Sequence, residues 1–335
     1  MKAIVQRRYG SPDWLELRDV ANPVVGETDV LVRVHAASVN AADWLFLTGI
    51  PYVLRLASGI LRPRRTIPER DLAGRVEAVG GSVTRFRVGD EVFGTPGDEL
   101  RNIIGTFAEY VVAPETRIVP KPANLTFEQA AAAPQAGVTA LQALRKGNVQ
   151  PGMTVLINGA GGGVGTFAVQ IAKALGADVT GVCSSHSVEL VTSLGADHVI
   201  DYTREDFTNT GHRYDVIIDL VANRSLTACR RALSARGMLV LSSAEGGRWF
   251  GPIGRIIKAA AWSPFIAQRL ATLVAVQAPE DLISLKELLE TGQVTPVIGR
   301  RFRLSEASDT LRHQGEGHSQ GKTVITLVPD APEAT

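Results

Sequence analysis

Two cysteines in 335 residues leave no disulfide framework to read. Cys183 and Cys229 fall within a predicted strand and a predicted helix, so a reducing, cytoplasmic setting is expected. Charge of one sign is equally scarce: 35 Lys and Arg oppose 34 Asp and Glu, a net charge of +1. That balance gives no electrostatic footprint for nucleic acid or an anionic membrane. No apolar run is long enough to span a bilayer. The opening Met1-Lys-Ala-Ile-Val-Gln6 reads as a strand and lacks the apolar core of a signal peptide. Internal repeats and low-complexity linkers are absent, and the tail Pro329–Thr335 reads as frayed. His35 lies in a predicted strand and His198 in a short buried one; His212, His313 and His318 fall near loops. None has a partner at metal-ligand spacing. The basic strip Arg62-Pro-Arg-Arg65 reads as a solvated loop.

What the chain does have is glycine, 33 residues of it, and 45% hydrophobic content, enough for one large or two medium domains. The glycine is densest in Val155-Leu-Ile-Asn-Gly-Ala-Gly-Gly-Gly-Val-Gly165, which runs into the amphipathic stretch Thr166–Gly176. An apolar strand enters a glycine turn and a helix leaves it, so free backbone N–H groups converge where a pyrophosphate can sit. The spacing is Ala-x-Gly-x-x-Gly at Ala160, Gly162 and Gly165, with alanine in place of the usual first glycine. Further strands are predicted at 177–183, 198–200, 214–220 and 237–242, with helices at 187–194 and 225–233. That alternation predicts a doubly wound parallel sheet, a Rossmann nucleotide-binding domain.

The first 120 residues have another texture. Short strands are predicted at 2–6, 15–19, 29–37, 72–79, 91–94, 107–112 and 117–119, punctuated by Gly and Pro. They predict a small barrel-like β unit. After helices at 128–133 and 137–144, the nucleotide domain opens; a helix at 279–289 and strands at 295–298 and 322–327 close the chain. The final strands are expected to rejoin the N-terminal unit. The domains are therefore drawn as 1–125 with 293–335, and 126–292.

Several segments resemble the medium-chain dehydrogenase/reductase superfamily over nearly the full length. They are Ala37–Asp43, Asp71–Gly80, Val88–Gly94, Ala136–Leu144, the glycine loop and Gly195–Tyr202. Within it the chain resembles the zinc-free quinone oxidoreductase branch. Gly251–Lys258 and Val294–Ile298 are further similar to the reticulon-4-interacting-protein-like members. The resemblance implies a GroES-like barrel joined to a Rossmann domain, and a homodimer formed through the Rossmann sheets. Zinc-dependent relatives carry a cysteine where this chain has Asn40, Gly-His-Glu where it has Glu69-Arg70-Asp71, and a second cysteine where it has Gln135. The four-cysteine lobe would fall near 94–105, which contains no cysteine. No catalytic zinc is expected, because the donor types are wrong at each position.

Losing the metal removes the polarisation that alcohol oxidation in this superfamily uses. Hydride transfer to a quinone or an α,β-unsaturated carbonyl remains accessible, since the charge delocalises on the acceptor. An NAD-preferring site places a carboxylate about 20 residues past the glycine loop, on the ribose 2′-OH. That position is Cys183 here, followed by Ser184, Ser185, His186 and Ser187, with no carboxylate among them to repel a 2′-phosphate. The resemblance places Tyr202 against that phosphate, so NADPH is favoured, with NADH possible. Cofactor contacts are expected from Thr139, Ala160, Gly161, Gly162, Gly163, Val164, Gly165, Ser184, Ser185, His186, Tyr202, Leu220 and Ser242. Asn40 and Asp43 would line the nicotinamide side of the active cleft, although both residue types also cap turns. Tyr52 is the candidate hydroxyl donor to a substrate oxygen. The alternatives are a 2-enoyl thioester reductase and a non-enzymatic NADPH-binding regulatory protein. The aromatic and basic stretch 244–265 could cover the substrate site, form a dimer surface or touch a membrane, and otherwise packs as a helix pair.

Overall fold

The computed structural model describes residues 1–64, 66–96, 105–242, 248–249, 251, 253–262, 266–317 and 319–328. Arg65, His318, the tail Pro329–Thr335, most of the 94–105 stretch and about half of 244–265 lie outside the described residues. The chain divides into two compact units: residues 1–136, 277–291 and 296–335, and residues 137–276 with 292–295. The boundaries read from sequence, at 125/126 and 292/293, differ from these chiefly in giving the helix at 279–290 to the nucleotide domain.

The first unit opens with β1 (Lys2–Gln6) paired antiparallel to β2 (Leu15–Asp19). Its larger sheet uses β3 (Asp29–Val39), β4 (Asp71–Val79), β5 (Glu91–Gly94), β6 (Tyr110–Pro114) and β7 (Ile118–Pro120). Three helices belong to the same stretch: α1 (Ala41–Thr48), α2 (Arg55–Ser58) and α3 (Phe127–Ala131). The unit boundary falls within α4 (Pro134–Lys146).

The second unit contains β8 (Thr154–Asn158), β9 (Asp178–Cys183), β10 (His198–Asp201), β11 (Tyr214–Asp219), β12 (Leu233–Leu241) and β13 (Arg269–Thr272). All pair in parallel, in the order β10-β9-β8-β11-β12-β13. Between them run α5 (Gly163–Ala174), α6 (Val188–Ser193), α7 (Leu226–Arg231) and α8 (Ile253–Trp262). After β8 the chain winds outward to β9 and β10, then returns to the other side of β8 with β11. The β8/β11 junction is therefore the topological switch point, where open α/β sheets take their ligands. Its strands are continuous apolar runs because both faces are covered. Leu156, Ile217 and Leu239 are fully buried, and every residue of α5 from Gly165 to Ala172 is buried.

The chain then rejoins the first unit through α9 (Pro279–Glu290), β14 (Ile298–Arg303), α10 (Ala307–Gly315) and β15 (Lys322–Thr326). β15 lies between β14 and β3, in the order β14-β15-β3-β4-β5-β7, with β6 on β3. Thus a GroES-like barrel unit and a Rossmann unit are both present. The short α1 was not expected from the sequence, because its pattern Ala-Ala-Asp-Trp-Leu-Phe-Leu-Thr has no polar face to reveal a helical period. β13 was missed because four residues ending in Ala-Thr carry little strand signal. His198, read as buried, has a side chain 70% exposed, because β10 is the edge of its sheet.

Candidate active site and cofactor loop

The glycine loop separates into individual roles. Gly159 takes the left-handed turn, at φ 94°. Ala160 follows with its N–H on the Val182 carbonyl at 2.9 Å and is fully buried. The left-handed residue is upstream of the motif, so the first motif position accepts a methyl group. A Cβ on Gly161 would lie 2.7 Å from the Ser187 side chain, and one on Gly165 would lie 2.0 Å from the Gly159 carbonyl. Gly165 therefore lets α5 close onto the end of β8. Gly162 differs: a Cβ there would meet only the Gly159 carbonyl, at 3.5 Å. The space above Gly162 is open, at the N-terminus of a twelve-residue helix carrying Gly163 and Val164 in its first turn. This cradle fits a dinucleotide pyrophosphate.

The carboxyl ends of the switch-point strands are tied together. Asn158 ends β8 and donates to Asp219, which ends β11, at 2.9 Å. Asp219 is fully buried and takes a 2.6 Å ion pair from Arg255 of α8. Arg255 also donates to the Ala222 carbonyl at 2.6 Å. Leu220 and Ser242 hang from the same strand ends through backbone bonds to Asn158 and Asp219. Within the 244–265 stretch, α8 is thus pinned by Arg255 to the strand ends, while Ile257 is 62% exposed. Asn158, Asp219 and Arg255 were not singled out from sequence. A polar residue closing each of two apolar strands was the available signal. Thr139 sits half-buried on α4.

At the end of β9, Cys183 is 3% exposed. Burial first, and the Asp201 carboxylate second, push its thiol up to about 11. Cys229 is pushed up to about 12, chiefly by burial. Both are packing residues, not nucleophiles. Ser184 and His186 meet at 3.4 Å. Ser185 donates to Asp201 at 2.6 Å. No carboxylate lies among Cys183–Ser187, as the sequence shows, but one stands across the sheet from them. Asp201 ends the neighbouring strand β10, in register with Cys183. Its hydrogen bonds from Ser185 and Thr203 hold it below the usual carboxylate range, so it is ionised. The acid comes across the sheet, so spacing along β9 does not reveal it. Arg204 lies 3.5 Å from the same carboxylate, and Tyr202 beside it is 40% exposed.

In the first unit a second polar centre forms around Asp71, at the start of β4 and fully buried. Ser38 and Asn40 each donate to its Oδ2 at 2.9 Å, and the Gln135 backbone N–H to its Oδ1 at 3.1 Å. Lys322 of β15 stands 3.7 Å away, 2% exposed. Its ammonium donates to the Val39 carbonyl at 2.7 Å and to Asn40 Oδ1 at 2.5 Å. Burial raises the Asp71 pKa and lowers that of Lys322, and each charge opposes the shift of the other. Asn40 is therefore locked, its amide donating to Asp71 and its oxygen accepting from Lys322. Asp43, in the first turn of α1, accepts the Asn40 backbone N–H at 2.7 Å. Its capping habit is thus realised. Glu69, 1% exposed, takes φ 74° although it is not glycine. Neither of its carboxyl oxygens receives an N–H or O–H from the described residues. Burial first, and the adjoining Asp43 carboxyl second, raise its pKa well above the usual carboxylate range.

Asn40, Asp43, Glu69 and Asp71 are thus brought together. Tyr52 lies on a separate turn, with the Arg55 guanidinium 4.9 Å over its ring and 4.5 Å over that of Tyr9. Lys322 was missed by sequence reading, although a lysine opening the apolar strand Lys-Thr-Val-Ile-Thr was its trace. The three positions that hold zinc in the zinc-dependent relatives carry Asn40, Arg70 and Gln135. A locked carboxamide, a guanidinium and a glutamine make a donor set that does not fit zinc. Among the described residues no group of three His, Cys, Asp or Glu could hold a metal ion. A surface pocket of about 530 Å³ lined by Lys2, Glu109, Arg301 and Arg303 contains none of the residues above.

Residues 26–123 match the family described as "Alcohol dehydrogenase GroES-like domain", and residues 194–325 the family described as "Zinc-binding dehydrogenase". The chain is 32% identical over 346 residues to "Quinone-oxidoreductase QR1, chloroplastic" of Triphysaria versicolor, spanning 97% of this chain and 98% of that protein. It is 33% identical over 373 residues to "NAD(P)H oxidoreductase RTN4IP1, mitochondrial" of Mus musculus, spanning 98% and 89%. The solved quinone oxidoreductase from Coxiella burnetii superposes with a TM-score of 0.83 at 31% identity, covering 98% of this chain and 99% of that one. Among the described residues no helix is long and apolar enough to cross a membrane.

Proposed function

Because the chain belongs to the quinone oxidoreductase branch of the medium-chain dehydrogenase/reductase superfamily, we propose that it is a zinc-independent, NADPH-dependent reductase of quinones or α,β-unsaturated carbonyls. The observation that carries this reading is the Asp71 centre, where the Asn40 amide and the Gln135 backbone N–H, at two of the zinc positions of relatives, both donate to a lysine-paired carboxylate. A bound nicotinamide would supply the hydride. The chain's own residues do the rest. The open floor at Gly162 and the N-terminus of α5 take the pyrophosphate. The Asn158–Asp219–Arg255 tie fixes the strand ends beside it. The Asp71–Lys322 pair fixes the Asn40 amide, so no reorganisation is needed when charge develops on a substrate.

NADPH oxidation by the metal-stripped chain tests the reading, with 9,10-phenanthrenequinone and simple enones as acceptors and NADH as the parallel donor. Turnover with NADPH that survives chelation is expected; activity that returns only with zinc would overturn it. Tyr52 is the proposed donor to the substrate oxygen. Tyr52→Phe is expected to lower kcat by about tenfold to a hundredfold with little change in quinone KM. Unchanged turnover removes Tyr52 from the mechanism.

The proposed 2′-phosphate site gathers Ser184, His186, Tyr202 and the exposed Arg204, with Asp201 opposing it. Asp201→Asn is expected to raise the NADPH-over-NADH affinity ratio about fivefold, because an ionised carboxylate facing the proposed phosphate is removed. Arg204→Ala should lower it. Fluorescence titration with both cofactors reads this, and a ratio unmoved by either change places the phosphate elsewhere. The homodimer is proposed to use the open edge of the second unit's sheet, where Val274 and Val276 beyond β13 are 79% and 63% exposed.

A further inference from the structure

We propose that the stretch 56–62 of the first unit docks this chain on the surface of an anionic phospholipid bilayer, as a peripheral contact. The stretch begins in α2 and runs into the loop after it. Its aliphatic side chains face outward: Leu56, Ile60 and Leu61 are 71%, 66% and 87% exposed. Single exposed aliphatics are ordinary on a protein surface, but three in one short stretch mark a contact surface. Docking of this kind does not depend on the reductase reading, whose failure would leave it standing.

The exposure does not come from fraying, because the loop is tied at several points. Gly59 turns the chain at φ 117°, and a Cβ there would lie 2.1 Å from the Arg62 carbonyl. The Arg64 N–H donates to the Ser58 carbonyl at 2.8 Å, which closes the loop with Ile60 and Leu61 in its turn. Tyr9, buried just past β1, donates its hydroxyl to the Gly59 carbonyl at 2.8 Å and meets the Ser58 hydroxyl at 2.8 Å. The chain is back in the core at Ile67, and the Thr66 carbonyl before it accepts the Gln6 N–H at 2.6 Å. A preformed loop therefore presents the aliphatic groups, and little ordering entropy is lost on docking.

The charge of this region has one sign. From Tyr52 to Thr66 the sequence carries Arg55, Arg62, Arg64 and Arg65 and no Asp or Glu. Arg55 is taken inward, donating to the Gly49 carbonyl at 2.9 Å and lying over the Tyr9 and Tyr52 rings. Arg62 is exposed. The bond between Gln6 and Thr66 brings the end of β1 alongside, and that strand continues into Arg7 and Arg8, both exposed. Asp13, the acid nearest to them in sequence, is paired with Arg312 at 2.6 Å. The chain's net charge of +1 averages this patch away. A surface responds to the local charge instead, because salt screens anything beyond about 10 Å at 0.1 M.

Aliphatic groups and guanidinium groups together select the occupant. An anionic bilayer takes both: the aliphatic groups enter the boundary between headgroups and acyl chains, and the guanidinium groups meet the phosphates. Nucleic acid would engage the arginines through its phosphates and gain nothing from Ile60 and Leu61. A second copy of this chain on the same face would set arginines against arginines, because a two-fold contact is self-complementary.

Cosedimentation of the full chain with vesicles tests it, pure phosphatidylcholine against a two-to-one mixture with phosphatidylglycerol. In about 0.1 M salt the wild type is expected to partition onto the mixed vesicles at least about tenfold more strongly, and about 1 M salt should remove most of that difference. Leu61→Gln should weaken partition onto the mixed vesicles about tenfold, and Arg62→Gln about fivefold. Both side chains are exposed, so each variant should keep the wild-type melting temperature. Val24→Gln is the control: Val24 is 90% exposed in the same unit, outside the basic stretch, and its loss should change nothing. Wild type that stays in the supernatant with both vesicles overturns the proposal, as does equal partition onto the two. Binding that Leu61→Gln and Arg62→Gln leave unchanged belongs to another face and also overturns it. Self-association without lipid, seen by sedimentation velocity and abolished by Leu61→Gln, would assign the loop to a second copy instead. A gel shift with duplex DNA that Arg62→Gln abolishes and Leu61→Gln spares would assign it to nucleic acid; either result overturns the bilayer contact.

Discussion

Gly162→Val is expected to lose NADPH binding by at least about a hundredfold, near 2.7 kcal/mol, while the apo chain keeps its melting temperature. Gly165→Val is expected to lose both. The two glycines sit three residues apart on one loop, so the contrast isolates what each one does. Gly162 is extended, at φ −82° and ψ 176°, a conformation any residue adopts. A Cβ there finds only ordinary contact with the Gly159 carbonyl. The fold has no objection to a side chain; only a pyrophosphate lying on the loop would. At Gly165 the added carbon would lie 2.0 Å from the Gly159 carbonyl and 2.7 Å from Ala160 Cα. Both are backbone atoms that cannot rotate away, so α5 must lift from β8. Since α5 is buried from Gly165 to Ala172, that shift should cost about 3 kcal/mol or more. Thermal unfolding with and without NADPH reads both effects. Normal NADPH binding by Gly162→Val would place the cofactor somewhere other than this loop.

Lys322→Met is expected to destabilise the chain by about 3–5 kcal/mol, the usual consequence of leaving a buried charge without its partner. Asp71 is fully buried and would keep only neutral donors from Ser38, Asn40 and the Gln135 backbone. Asn40 Oδ1 would lose its bond to the ammonium. The sign with pH follows from Asp71. Its folded pKa, already raised by burial, rises further once Lys322 is gone. The variant should therefore lose additional stability as pH rises through the neutral range, and lose less in acid, where Asp71 is protonated in both states. Lys322→Met combined with Asp71→Leu should recover most of the loss, because no unpaired charge remains. Denaturant unfolding of the four proteins in the cycle measures it. Additive single and double effects would show that the two groups do not act as a pair.

The two units were legible because their texts differ. Val155–Gly165 announces a nucleotide loop by local spacing alone, and repeated apolar strands with helices between announce a parallel sheet. The return of β15 to β3 was legible from its strand-like text, although which strand it would join was not. Contacts made across the sheet were harder to read. Asp201 reaches Ser185 from a neighbouring strand sixteen residues later, so a search along β9 finds no acid. Lys322 meets Asn40 from 282 residues away, and no window along the chain contains both. In the sequence Glu69 shows only as a departure from Gly-His-Glu; its left-handed backbone and its burial are not encoded by spacing.

The interlaced order of the chain gives the two units different histories during synthesis. The second unit is nearly continuous, and all of its sheet has emerged once residue 276 is made. The first unit begins earlier and finishes later, because β15, which separates β14 from β3, is drawn from residues 322–326. Until then β3 has an open edge, and Asp71 has no ammonium to meet. The usual order, in which an N-terminal domain matures first, is reversed in this chain. The centre around Asp71 can therefore close only after residues 322–326 have been made, long after the strand that carries Asp71 itself.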